Sequence, residues 1–110
     1  MNKDKVLSLM GLATKAGKLK SGEFCVETEL KKNSAKLVIV ANDASANTKK
    51  GYTDACAYRK VPIAVYSTKE EIGSAIGKES RAACVITDEG FAKGIIKAIG
   101  NNQSDSEVVE

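Results

Sequence analysis

Three short, mostly apolar runs, Leu37 to Ala41, Ile63 to Tyr66 and Ala82 to Thr87, most narrow what this chain can become. A run such as Leu37-Val38-Ile39-Val40-Ala41 shows no polar alternation, so it reads as a strand covered on both faces rather than a half-solvated one. A strand covered twice needs helices on each side of its sheet, and the intervening segments supply them.

Lys3 to Lys15 sets Val6, Met10 and Ala13 three and four residues apart, which makes one apolar stripe on a helix. Gly17 suits its C-terminal stop. Lys18-Leu19-Lys20 alternates and reads as a short strand. Ser21 is the expected cap of a second helix, from about Gly22 to Lys32, with Val26 and Leu30 inward and Asn33 at its end. Asn42 to Asn47 is a polar loop, and Asn47 is the expected cap of a third helix that Val61-Pro62 ends near Lys60. Ser67 and Glu70 have the spacing of a capping box for a fourth helix, with Ile72 and Ile76 inward and Gly77 at its end. Asp88 caps a last helix whose Phe91, Ile95 and Ile99 share a face. The expectation is an α/β chain: a three-layer α/β/α sandwich on a four-stranded mixed sheet, largely parallel, with about five helices. Residues 1–100 form one domain. Residues 101–110, "NNQSDSEVVE", show no packing pattern and read as a disordered acidic tail.

The 110 residues are 43% hydrophobic, enough for one compact core. Histidine is absent, which removes the commonest general base and metal ligand, and the chain is read as non-enzymatic, with no metal and no cofactor. Cys25, Cys56 and Cys84 are too widely spaced for a zinc or redox motif and read as small buried hydrophobes, Cys25 lying in the first turn of its helix. No signal peptide or long apolar run stands out, so a cytoplasmic, membrane-free protein and reduced thiols are expected. All 17 Lys and Arg precede residue 101, while Asp105, Glu107 and Glu110 follow it, so the first hundred residues are more basic than the net +3. Positive excess is the usual footprint of a nucleic-acid partner.

In open α/β sheets, ligands gather at loops beyond strand ends and at helix N-termini. Three junctions qualify. At Lys18 to Phe24, Gly22 allows close approach to the backbone, and the following helix turn offers unpaired N–H groups beside Lys18 and Lys20. At Asn42 to Lys50, Lys49 and Lys50 oppose the field at a helix start, which an anion would relieve. At Gly77 to Ala82, "GKESRA" supplies Lys78, Glu79, Ser80 and Arg81. Each has a plain alternative: a capped helix, lysines swung into water, a solvated turn. Phe24 is either a base-stacking aromatic or a packed staple under the first helix.

"GKLKSGEFCVETELKKNSAKLVIVANDAS", followed by "VPIAVYSTKEEIGSAIGK", resembles the kink-turn RNA-binding ribosomal proteins called L-seven-Ae, L-thirty-e and S-twelve-e. Gly22, Ala35-Lys36-Leu37-Val38, Asp43, Val61-Pro62, Lys69, Gly73 and Gly77 match in order and spacing over about residues 3 to 99. "DASANTKK" and "DEGFAK" are similar to its short bacterial branch, the YlxQ-like proteins. The resemblance implies a domain that grips a sharply bent RNA: the second helix and the loop before it enter the bend, and bulged nucleotides rest on the loop after the fourth helix. The family's Asn-Glu-X-X-Lys signature, which reads guanine edges, is replaced here by Phe24, Cys25 and Thr28. A lost base contact costs about 1–3 kcal/mol of discrimination. Stacking and the N–H groups of Glu23 to Cys25 would then stand in for it, with phosphate contacts from Lys18, Lys20, Lys31, Lys49 and Lys50.

The expected function is RNA binding near the ribosome or another ribonucleoprotein by a monomer, with Asn42 on the same rim. Two alternatives stay open. One is a protein-binding adaptor using Phe24 and Cys25 as an apolar patch. The other is a receiver-like domain built around Asp43 or Asp88, which would need acids converging on Mg²⁺.

Overall fold

The computed structural model describes residues 4–102 and 107–109. In chain order it runs α1 (Lys5–Lys15), β1 (Leu19–Ser21), α2 (Glu23–Lys31), β2 (Leu37–Val40), α3 (Ala46–Arg59), β3 (Ile63–Val65), α4 (Lys69–Ala75), β4 (Ala83–Ile86), α5 (Glu89–Asn102) and β5 (Glu107–Val109). Every apolar run is a strand, and each face of the sheet carries helices. Along β2, Leu37 and Ile39 enter one core with Val6, Met10, Ile72, Ile95 and Ile99 from α1, α4 and α5. Val38 and Val40 enter the other with Val26 and Leu30 of α2 and Cys56 of α3. Burying such side chains is worth about 1.5–3 kcal/mol each, which is why a run apolar on both faces settles between two helical layers.

The strand order is β1-β4-β2-β3-β5. The sheet is mixed but not largely parallel: among the described residues β2 with β3 is its one parallel pair, while β4 runs against both β1 and β2. The cause lies after α4. Arg81 N–H donates to Lys69 C=O at 3.0 Å and Lys78 N–H to Gly73 C=O at 2.8 Å, so the loop doubles back along α4. Gly73 permits this, since a Cβ there would stand 1.9 Å from the Glu79 carbonyl oxygen. The chain therefore re-enters the sheet at the end where β3 left it, and β4 must run the other way.

Capping differs from expectation at three helices. Ser21 is the last residue of β1, and Gly22 stands at the N-cap of α2 without a side-chain bond. Ser45, not Asn47, caps α3, its Oγ accepting from Thr48 N–H at 3.1 Å. Thr68, not Ser67, caps α4, accepting from Glu71 N–H at 3.1 Å. Ser67 holds a left-handed backbone (φ 66°), and its hydroxyl reaches the Glu71 carboxylate instead. Adjacent polar residues are equally good caps by composition, and the bend of the incoming chain chooses between them.

Residues 101–110, expected to be unstructured, are partly used. α5 runs on to Asn102, and Glu107–Val109 pairs antiparallel with β3, Val109 opposite Ile63. Val108 and Val109 give that stretch strand propensity, and β3 offers it an open edge.

Candidate nucleic-acid interface

The ends of β1, β2 and β3 and the start of β4 lie at one end of the sheet, because Ser21 pairs with Cys84, and Val40 with both Ala83 and Val65. Short hydrogen bonds stitch the three junctions there into one rim. Gly22 N–H donates to Ala83 C=O at 3.0 Å, Ala41 N–H to Ala82 C=O at 2.8 Å, and Asn42 N–H to Ser67 C=O at 2.7 Å. Lys69 N–H donates to Asp43 Oδ1 at 2.9 Å, and Arg81 Nε to Ser21 Oγ at 3.2 Å.

The mouth of α2 sits in this rim. Gly22 has φ 99° and ψ 155°, a backbone that strains any L side chain, and a Cβ there would meet nothing within 4 Å. The residue is dictated by the turn, and the space before it is open. Asp4, Ser45, Thr68 and Asp88 each accept from an amide in the first turn of α1, α3, α4 and α5. The first bond of α2 runs from Val26 N–H to Gly22 C=O, leaving the amides of Glu23, Phe24 and Cys25 without a partner among the described residues. Three unpaired donors at the positive end of a helix are free to meet an acceptor. Phe24 is 80% exposed beside them, so it is not a staple under α1.

At this rim stand Gly22, Glu23, Phe24, Cys25, Asn42 and Arg81; α3, which carries Lys49 and Lys50, begins shortly after Asn42, and the loop Lys78 to Arg81 returns to the rim along α4. Lys50 pairs with Asp54 at 3.1 Å, both exposed; with Ser45 as the cap it is the fifth residue of α3, past the first turn where the helix field would oppose it. Three expected contacts fall elsewhere. Lys18 precedes β1, its carbonyl accepting from Thr87 N–H at 2.9 Å, at the other end of the sheet. Lys31 closes α2, about 12 Å along the axis from the mouth. Thr28 lies in the later half of that helix.

Lys20 is held rather than free. Its Nζ lies 3.0 Å from Glu29 Oε2, and Glu29 is the buried charge of α2. The Ser34 hydroxyl also donates to Glu29, and Lys32 stands 3.7 Å away. The Ser34 bond first, then Lys20, hold this carboxyl below the usual carboxylate range. The sequence carries a signal for Glu29: it stands three residues after Val26, inside the apolar stripe.

Tyr52 is a second residue sequence reasoning missed. It lies between α2 and α3 at a cleft of about 250 Å³ that Glu23, Glu27, Asn47 and Thr48 also line. Its hydroxyl is buried with no partner among the described residues. Burial first, then the Glu23 and Glu27 carboxylates, push its pKa up to about 12. With two carboxylates on it, this flank of the mouth disfavours a phosphate.

Asp43 and Asp88, the receiver-like alternative's acids, sit at opposite ends of the sheet, each accepting a backbone amide, from Lys69 and Phe91 respectively. They do not converge on a common ion. Among the described residues no helix is long and apolar enough to cross a membrane.

Comparison with known proteins gives the same frame. "RNA-binding protein YlxQ" of Bacillus subtilis (strain 168) is 44% identical over 91 residues, covering 83% of this chain and 91% of that protein. The protein of the same name from Enterococcus faecium is 45% identical over 92 residues, 84% and 88% of the two chains. "Large ribosomal subunit protein eL8" of Thermoplasma volcanium is 31% identical over 96 residues, 86% and 79%. A solved structure from Bacillus halodurans C, of a protein with unknown function, superposes with a TM-score of 0.86 at 35% identity and covers 89% of this chain and 99% of its own. The sequence profile of the ribosomal protein L7Ae/L30e/S12e/Gadd45 family matches residues 4–96, and the chain belongs to that family.

Proposed function

We propose that this protein is a non-enzymatic RNA-binding protein of the cytoplasm that holds folded RNA, of the kink-turn type, at the rim around the α2 mouth, in or beside a ribonucleoprotein such as the ribosome. The observation that carries this reading is the uncapped start of α2, where the unpaired amides of Glu23, Phe24 and Cys25 lie beside an exposed aromatic. The names of the Bacillus and Enterococcus relatives support RNA as the partner.

The chemistry follows from what each group supplies. Amides at a helix start donate to a phosphate oxygen or a base carbonyl, and glycine lets the strand come close. Phe24 stacks on an unpaired base. Arg81, steadied by Ser21, meets the backbone from the far side of the mouth, and Lys78 and Ser80 face a nucleotide bulged from the bend. With Phe24, Cys25 and Thr28 at the signature positions, recognition depends on RNA shape and stacking more than on guanine edges. The chain acts as a monomer and needs no metal or cofactor.

The test is affinity for a kink-turn RNA against an unbent duplex of equal length, at two salt concentrations. A preference for the bent RNA that persists at the higher salt supports the proposal. Equal affinities that collapse together would reduce the interaction to general electrostatics. Under that outcome the exposed Phe24 and neighbouring Cys25 favour the adaptor reading, with a protein against the same mouth.

A further inference from the structure

A second cationic face lies at the opposite end of the sheet, where β2 and β3 begin. A cleft of about 590 Å³ opens there between the turn leading into β2, the turn between α3 and β3, and α5. Lys36, Arg59, Lys60, Lys93 and Lys97 line it, against Glu89 as the one acid among the described residues. Glu89 stands 3.5 Å from Lys93 along the exposed face of α5, while Lys36, Lys60 and Lys97 have no ion pair among the described residues. Holding these cations together costs self-repulsion that a polyanion would relieve.

The floor is of another kind. Ala35, Val61, Pro62, Ala92 and Ile96 give the cleft an apolar base beneath its charged edge. Tyr58, next in sequence to the lining residue Arg59, is 83% exposed, and the Arg59 guanidinium lies 5.8 Å from its ring centroid. Lysines for a backbone, an apolar bed and an exposed ring with a stacked guanidinium are the parts a single strand requires. A simple anion would leave the floor and Tyr58 unused, and a duplex presents its bases to neither. The volume suits one or two nucleotides.

We propose that this cleft binds a segment of single-stranded RNA, separate from the RNA at the rim, so that one chain holds two RNA segments at its two ends. α3 runs from one end to the other, about 20 Å. The choice of RNA over DNA rests on the function proposed above; the existence of the site does not.

The test titrates the full-length, ¹⁵N-labelled protein with a ten-nucleotide oligouridine while the amide resonances are followed. The expected changes fall at Lys36, Arg59, Lys60 and Lys93. Lys36→Glu with Lys93→Glu lowers oligouridine affinity at least about tenfold, and Tyr58→Ala lowers it about fivefold. Both leave affinity for the bent RNA within about threefold, and circular dichroism confirms their fold. The proposal is overturned if the changes are confined to residues 20–28 and 78–81, if the charge reversal has no effect, or if polyglutamate of equal charge binds as well as oligouridine. Failure to prefer bent RNA over duplex would sink the rim reading alone and leave these readouts standing.

Discussion

The two ends of the sheet differ in what they expose. At the rim, Lys20 is tied to Glu29, Lys50 to Asp54, and Glu23, Glu27, Asp43 and Glu79 stand among the remaining cations. Charge there is nearly balanced, and what is exposed is shape: a bare helix start, an open glycine and Phe24. At the far end, among the described residues, charge is unbalanced and no helix mouth is left bare, since Asp88 caps α5. Net charge marks where a polyanion is held, while unpaired backbone donors mark where it is recognised, and the two need not coincide.

The two ends should separate most visibly at Gly73. A methyl group there collides with the Glu79 carbonyl, so Gly73→Ala must displace the loop that carries Lys78 to Arg81. The expected loss is about 3 kcal/mol in urea unfolding. Bent-RNA binding falls with it, while the folded fraction keeps its oligouridine affinity. Loss of both in parallel would mean the two ends are not independent.

Phe24→Ala comes next. An exposed ring contributes little to stability, so the melt should stay within about 0.5 kcal/mol. Bent-RNA affinity should fall by about 2 kcal/mol, roughly thirtyfold, as expected for one stacked base. An unchanged affinity would remove the ring from the interface.

Glu29→Gln separates scaffold from site. Breaking its bonds to Ser34 and Lys20 should cost about 1–2 kcal/mol at pH 7. Because the folded carboxyl titrates below its ordinary value of 4.5, its contribution is complete above that value and fades as pH falls through the lower, folded-state one. The variant should therefore converge with the parent protein in acid; a constant difference from pH 7 to pH 3 would mean that ionisation is not the source. The freed Lys20 should raise general RNA affinity slightly.

The smallest effect belongs to Lys49→Ala with Lys50→Ala. Two phosphate contacts contribute about 1.8 to the slope of log affinity against log salt. Lys50 already has Asp54, so a change nearer 0.9 is expected for bent RNA and none for oligouridine. A slope that stays put for both would take these lysines out of the rim.

The layers of the fold were legible because β2 and β4 are buried on both faces and cannot disguise themselves as amphipathic elements. Strand direction was not. It turns on Gly73 and a loop folded over α4, a contact invisible in any periodicity. The mouth at Gly22 was readable from the glycine before a helical pattern, yet the absence of a cap emerges only once Ser21 is committed to β1 and Arg81. Lys18 and Lys31 flank the mouth in sequence but not in space, because β1 and α2 carry them to the far end. The distal cleft escaped notice for the complementary reason. Lys36, Lys60 and Lys93 come from three distant segments, and proximity in the fold cannot be read from any one of them.

The three thiols occupy three different worlds. Cys56 and Cys84 are sealed inside the two layers, where burial pushes them up to about 11 and 12. Cys25 alone is partly open, at the threshold of α2. A maleimide fluorophore at neutral pH thus has one address on the wild-type protein, and that address is the doorway itself. Protection of this sulfur from alkylation would report an occupied rim without a single mutation.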